Sequence, residues 1–453
     1  MKYDYTVGTI INEKAPAQSL EAKQPYIDNG VGVADKSRYY DRDFMALEWE
    51  RLWTQTWLIA AVTADLPEVG CYSVFDIASE SIIVVRAEEG FKAFYNVCAH
   101  RGTRLVQEPL GKKMRFVCPF HAWRYSSLTG ELLEITDEVT FRKEVVCDRA
   151  GLTELACEEH SGLIFINMRD DPPPLVESIG LPRGYLEAYN IPKMKVIRHT
   201  RTEWAANWKI GIEAFYESYH LHSVHPETRL VMGDLNVQYD LYPNGASRMI
   251  VPLAQISPRV KDQTTVNEGL KAMLAEAGID PAGYSSDATG VRRAIQEAKR
   301  GRAEKLNLDY SAFVDGQLTD SWATGIFPNV QIGCHPEGVF LMRFLPHPSD
   351  PERFYYDTMT LFLPADDPNY SAPGWMGIPE GMDTSGETRP SCEYYAIGED
   401  GDLGLVLSQD ASLLPIVQAG MRSKGFKGQL WGEQEQRLRH FNAELDRYLT
   451  GLK

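Results

Sequence analysis

Two short loops, Cys98-Ala-His100 and Cys118-Pro-Phe-His121, lie seventeen residues apart, and each offers one thiol and one imidazole. Thiolate and imidazole together hold zinc or an iron–sulfur cluster, so the chain must fold in a way that brings the loops together. A zinc finger pairs cysteine with cysteine and histidine with histidine. One of each per loop suits a [2Fe–2S] cluster with two cysteines on one iron and two histidines on the other. A structural zinc is the competing reading. The remaining cysteines, Cys71, Cys147, Cys157, Cys334 and Cys392, bring the total to an odd seven. Scattered through a large chain, they argue against a secreted disulfide framework and for a reducing cytoplasm. Cys147 and Cys157 are expected to be inert core thiols.

The stretches around these loops read as β-structure. YSVFDI, SIIVVRA, FKAFYNV, MRFVC and GLIFINM are short, β-branched or aromatic, and separated by glycine or charge. They predict a compact β domain over 57–168. Before it, 1–56 reads as an extended arm and then a helix, with Phe44, Leu47, Trp53 and Trp57 at helical spacing. DDPPPL and Pro182 mark a boundary. In 169–453, VIRHTRTEWA, VQIGC, GVFLMRFLP and FYYDTMTLFLP are expected strands, and 402–421 and 431–450 expected helices. Residues 255–310 are expected to form loops and a helix over a pocket. Elements that segregate in this way indicate an α+β chain.

A second constellation lies in Glu213-Ala-Phe-Tyr-Glu217-Ser-Tyr-His220-Leu-His222-Ser-Val-His225-Pro226. At helical spacing Glu213, Glu217 and His220 share a face. Pro226 disfavours helical geometry at His225, so the predicted helix ends just before it and the turn returns His225 beside His220. Two imidazoles and one carboxylate with open positions make the facial triad of non-haem Fe(II) oxygenases. His222 is read as a loop or supporting histidine. His160, His199, His335, His347 and His440 are read as structural.

The loops CAHRGTR and CPFHAWRY resemble the Rieske domain of ring-hydroxylating oxygenases. Respiratory-chain Rieske proteins carry an extra cysteine in each loop, and here those places hold Thr103 and Phe120. The Glu213–His225 stretch is similar to the same family's mononuclear-iron motif, and FPNVQIG and FLMRFLPHPSDPERF resemble its catalytic domain. The resemblance implies a Rieske β domain inserted in a helix-grip (START-like) catalytic domain with a central antiparallel sheet. It implies Cys98, His100, Cys118 and His121 as cluster ligands, with Trp123 and Tyr125 shielding and buttressing them. It implies His220 and His225 as iron ligands and a downstream carboxylate as the third. SQDASLLPIVQAGMRS nominates Asp410 for that place, with Asp402 as runner-up. Glu217 takes the place of an acid that bridges the metal sites of neighbouring subunits. Many members of the family have Asp there, and others, including some trimethylamine-type oxygenases, have Glu.

The same resemblance implies a terminal oxygenase fed by a separate NAD(P)H-dependent reductase, sometimes with a ferredoxin. No dinucleotide fingerprint occurs in this chain. It also implies a homotrimer, with or without a small β subunit. Phe215, Tyr216 and Tyr219 fit an apolar pocket or core packing equally well; an aromatic substrate and cis-dihydroxylation are the first expectation. Monooxygenation or demethylation of an amine is the alternative, and a Rieske electron carrier without oxygen chemistry is the reading from another class. The net charge of −17 disfavours nucleic acid and anionic membranes as partners. Neither a signal-peptide pattern nor an apolar run of membrane-span length is visible.

Overall fold

The computed structural model describes residues 11–146, 151–365, 367, 370, 376, 378–379, 381–399 and 401–453. Cys147 lies outside the described residues. The chain divides into two compact units. One takes Ala46–Ser178 with Pro346–Ser349. The other takes Met1–Met45, Ile179–Leu345 and Asp350–Lys453, so the first is inserted in sequence into the second.

In the inserted unit a seven-stranded sheet runs, in spatial order, Leu58–Val62, Leu163–Asn167, Glu154–His160, Phe91–Tyr95, Glu80–Arg86, Cys71–Ile77 and Leu110–Lys112. Leu58–Val62 and Leu163–Asn167 are buried along their whole length, as their unbroken apolar runs require. Cys71–Ile77 alternates more closely between buried and half-buried positions. A second sheet of three short strands, Arg115–Val117, Arg124–Ser126 and Leu132–Glu134, carries the second cysteine–histidine loop between its first two strands. Cys98, Cys118, Trp123 and Tyr125 join Tyr72, Phe94 and Phe116 in the apolar core. The unit also takes in the tryptophan-rich turn Trp49–Trp53 and Trp57, whose indole N–H donates to the Pro173 carbonyl at 2.9 Å.

The larger unit is built on one eight-stranded sheet: Gln238–Leu241, Ser247–Val251, Ser321–Ile326, Val330–His335, Gly338–Pro346, Phe354–Phe362, Lys195–Trp204 and Glu393–Tyr395. Its recorded strand pairings are antiparallel except at the edge, where Thr200 pairs with Glu393 in parallel. Helices Leu405–Met421 and Gln436–Leu449 grip it. Gln418 accepts from the Asn207 N–H at 2.7 Å, and Arg437 reaches Ser247 on the sheet at 2.9 Å. This is the expected helix-grip arrangement. Residues 255–310 carry two helices, Glu268–Glu276 and Ala288–Lys305, rather than one.

The central motif departs from expectation. The helix that starts at Trp208 ends at Phe215, and a separate short turn, Leu221–Val224, follows it. Glu217 and His220 therefore sit in a break and not on one continuous helical face with Glu213. Long-range bonds cause the break. The Tyr216 hydroxyl donates to the Val330 carbonyl at 3.0 Å, in space that exists because residue 325 is glycine. A Cβ at Gly325 would lie 2.6 Å from that hydroxyl. Tyr239 captures Ser218 at both its backbone N–H and its hydroxyl, at 3.3 and 2.5 Å. The Glu217 carboxylate takes the His220 N–H at 3.1 Å, replacing a helical carbonyl.

Candidate metal centres

The break aims two imidazoles at one point. His220 Nε2 lies 3.7 Å and His225 Nε2 3.1 Å from Asp410 Oδ1. His220, His225 and Asp410 form the one group of three or more metal-binding side chains found among the described residues, with donor atoms within 4.8 Å of one another. The other nitrogen of each ring is occupied. His220 Nδ1 is 2.6 Å from Glu217 Oε1, and His225 Nδ1 is 2.6 Å from Gln409 Oε1. Both partners are acceptors, so both Nδ1 atoms carry the proton and both Nε2 lone pairs face Asp410. A metal needs that tautomer, and outer partners of this kind fix it. Burial opposes a charge on His220, but the Glu217 hydrogen bond and the Glu217 and Asp410 charges outweigh it and raise its pKa.

Helix Leu405–Met421 supplies both Gln409 and Asp410. Asp402 precedes that helix in a left-handed turn, and its backbone carbonyl accepts from Arg198 at 3.0 Å. It is not in the group. Glu213 turns away, to Tyr39, Gln429 and Asn442, and burial raises its pKa. His222 bonds to the Tyr219 carbonyl outside the group. Gln409 went unsuspected in the sequence, where its only signal was adjacency to a candidate ligand.

In the inserted unit the two loops meet. The Cys98 and Cys118 side chains are within hydrogen-bonding reach of each other, and the His100 and His121 rings are 4.6 Å apart. The thiols are buried and the imidazoles half-buried. The Tyr125 hydroxyl accepts the Ala99 N–H and lies within hydrogen-bonding distance of Cys98 Sγ, at 3.2 Å. Burial raises the Cys118 thiol. The N–H groups of His121 and Phe120 and the Thr103 hydroxyl outweigh it and leave the thiol lowered. Thr103 thus helps to support the Cys118 sulfur. Trp123 stacks on His100 at 4.8 Å and 8°. His121 Nδ1 is buried without a hydrogen bond among the described residues.

These donors suit two irons better than one zinc. They come as a thiol pair and an imidazole pair, and no three of the four qualify as a single-ion group by the distance that unites His220, His225 and Asp410. A tetrahedral zinc would draw all four to one point. The residues fit a cluster here and a mononuclear ion at the triad.

Comparison with known proteins agrees. The family profile Ring hydroxylating alpha subunit (catalytic domain) matches residues 191–451, and Rieske [2Fe-2S] domain matches residues 56–145. The chain belongs to the ring-hydroxylating oxygenase alpha-subunit family. Its cofactors are one Rieske [2Fe–2S] cluster and one mononuclear non-haem iron. It is 34% identical over 190 residues to the glycine betaine monooxygenase oxygenase subunit of Pseudomonas aeruginosa, covering 42% of this chain and 44% of the relative. It is 28% identical over 217 residues to the biphenyl dioxygenase alpha subunit of Paraburkholderia xenovorans, covering 44% and 46%. The matched stretches thus span less than half of these curated relatives. In fold, it resembles a quaternary ammonium Rieske monooxygenase in complex with L-carnitine, with TM-score 0.61, 19% identity and 93% and 97% of the two chains covered. It also resembles naphthalene 1,2-dioxygenase from Rhodococcus sp., with TM-score 0.63, 18% identity and 92% and 94% covered.

Proposed function

We propose that this chain is the terminal oxygenase of a multicomponent system, hydroxylating an apolar, aromatic substrate with dioxygen and electrons from NAD(P)H. The observation that carries the reading is the triad, whose two imidazoles are locked by Glu217 and Gln409 with their Nε2 atoms facing one carboxylate. His220, His225 and Asp410 hold the iron in this reading, and Cys98, His100, Cys118 and His121 hold the cluster. When bound, the cluster supplies single electrons and the iron supplies open positions for dioxygen. Asp410 offsets the charge of the cation. Glu217 and Gln409 keep protons on Nδ1 and lone pairs on Nε2. Residues 57–168 serve electron storage, and 1–56 with 169–453 serve oxygen chemistry. An electron carrier would leave the triad without a task. No helix among the described residues is long and apolar enough to cross a membrane, and we place the protein in the cytoplasm.

Electrons reach the triad of one chain from the cluster of a second copy, in a homotrimer with or without a β subunit. Two exposed apolar rims support this. One surrounds the half-buried histidines, with Val97 and Phe120 exposed. The other borders an open groove lined by Glu217, His220 and Asp410, with Leu413, Val417 and Leu430 exposed. Reductase, with or without a ferredoxin, delivers electrons from outside.

A second reading, monooxygenation and demethylation of a quaternary amine, is favoured by the 34% identity to the glycine betaine enzyme and by Glu at position 217. Oxygen uptake with reductase and NAD(P)H tests both. Labelled dioxygen entering a ring product as a diol supports the first, formaldehyde release the second, and uptake with neither product overturns both.

A further inference from the structure

The helix break that sets the triad leaves one backbone bond unmade. In an uninterrupted helix the Tyr216 carbonyl would accept from the His220 N–H, four residues on. Here that N–H goes to the Glu217 carboxylate at 3.1 Å. The Tyr216 carbonyl therefore needs another donor, because Tyr216 is buried and an unpaired buried carbonyl is costly. Arg437, from helix Gln436–Leu449, supplies it: Nη1 reaches that carbonyl at 3.4 Å.

A guanidinium is an expensive group to place there. Arg437 is fully buried, and among the described residues its hydrogen bonds all go to neutral acceptors. Nε donates to the Ser247 hydroxyl at 2.9 Å and Nη2 to Gln331 Oε1 at 3.3 Å. Burial pushes its pKa down to about 10, which still leaves it charged at neutral pH. A buried cation without a carboxylate persists only where other contacts offset the loss of water. Tyr216 offers two of them. Its ring face lies 4.1 Å from the guanidinium, and its carbonyl sits at the carboxyl end of helix Trp208–Phe215, where the helix dipole favours a cation. A Cβ at Gly325 would come within 2.9 Å of Arg437 Nη2 as well as 2.6 Å of the Tyr216 hydroxyl, so one glycine admits both groups.

We propose that Arg437 is a positioning residue for the oxygenase reaction: by holding the Tyr216 carbonyl it leaves the His220 N–H to Glu217 and the His220 ring on the triad. Arg437 and the Glu217 carboxylate each replace one half of the missing helical bond between 216 and 220. With Arg437 gone, the orphaned carbonyl regains its stake in the His220 N–H, and that bond draws His220 back onto the helical path and away from Asp410. A neutral side chain of similar length fills the space without holding the carbonyl. Lysine keeps a charged donor for it. The inference rests on the triad being the iron site for its consequence, and on the Tyr216 and His220 bonds for its geometry.

An Fe(II) titration of the full chain without oxygen, its cluster intact and its mononuclear iron first removed with a chelator, tests the proposal. Arg437→Met should bind Fe(II) at the triad at least about tenfold more weakly than the wild type, with labile sulfide and the visible spectrum of the cluster unchanged. Arg437→Lys should recover binding to within about threefold of the wild type. Leu445→Ala removes a buried side chain two turns along the same helix. It should lower the melting temperature yet leave Fe(II) affinity within about twofold of the wild type. Arg437→Gln stands in if Arg437→Met does not fold, with the same tenfold loss expected. Unchanged binding in the neutral variants, no recovery with lysine, or an equal loss in Leu445→Ala overturns the proposal. Failure of both neutral variants to fold also overturns it, by assigning Arg437 to the fold alone. A wild type that takes up no Fe(II) at the triad would overturn the oxygenase reading itself and this inference with it, an outcome distinct from wild-type binding that the Arg437 variants share.

Discussion

The two candidate metal centres are assembled in opposite ways. The cluster loops span 98–121, a single short stretch of chain, and are supported from within it and from the four residues that follow: Tyr125 and Thr103 serve the sulfurs and Trp123 covers His100. The triad joins His225 to Asp410 across 185 positions. Its histidines depend on a broken helix whose break is imposed by Val330, Tyr239 and Gly325, residues of the sheet. A local site declares itself in a motif. A distributed site is half visible until the fold is known.

The contrast predicts independent loss of the two centres. Cys118→Ala should remove the cluster almost completely, so labile sulfide falls to near zero and visible absorbance is lost, while the mononuclear iron stays. Retention of sulfide in that variant would break the assignment. His225→Ala should do the reverse, taking iron from about three to about two per chain with sulfide unchanged. Turnover should vanish in both.

Glu217→Ala separates coupling from ligation. The iron is expected to stay while reductase-driven turnover falls about ten- to a hundredfold. Loss of iron would make Glu217 a ligand. Gln409→Ala should have a milder effect, weakening Fe(II) binding about tenfold in an equilibrium titration by freeing the His225 ring. Tyr125→Phe is the smallest change. It deletes a hydrogen bond to Cys98 sulfur and should lower the cluster potential in a redox titration with sulfide content unchanged. An unmoved potential would remove Tyr125 from the sulfur's support.

Much of this was legible in the chain. The strand runs around Val84, Phe165 and Phe344 are rich in β-branched and aromatic residues, and they form strands that are buried. The loop ligands stood out because cysteine and histidine at those spacings have few other uses. The helix break was not legible, since Glu213, Glu217 and His220 keep helical spacing and the disruption comes from partners far along the chain. Asp410 was placed by resemblance alone, because one aspartate in a helix has no periodic signature. Gln409 was missed for the same reason.

The most direct test is the content of iron, zinc and acid-labile sulfide per chain, on protein purified without oxygen. About three irons and two sulfides are predicted, for one cluster and one mononuclear ion. Zinc without sulfide would contradict the account at its root.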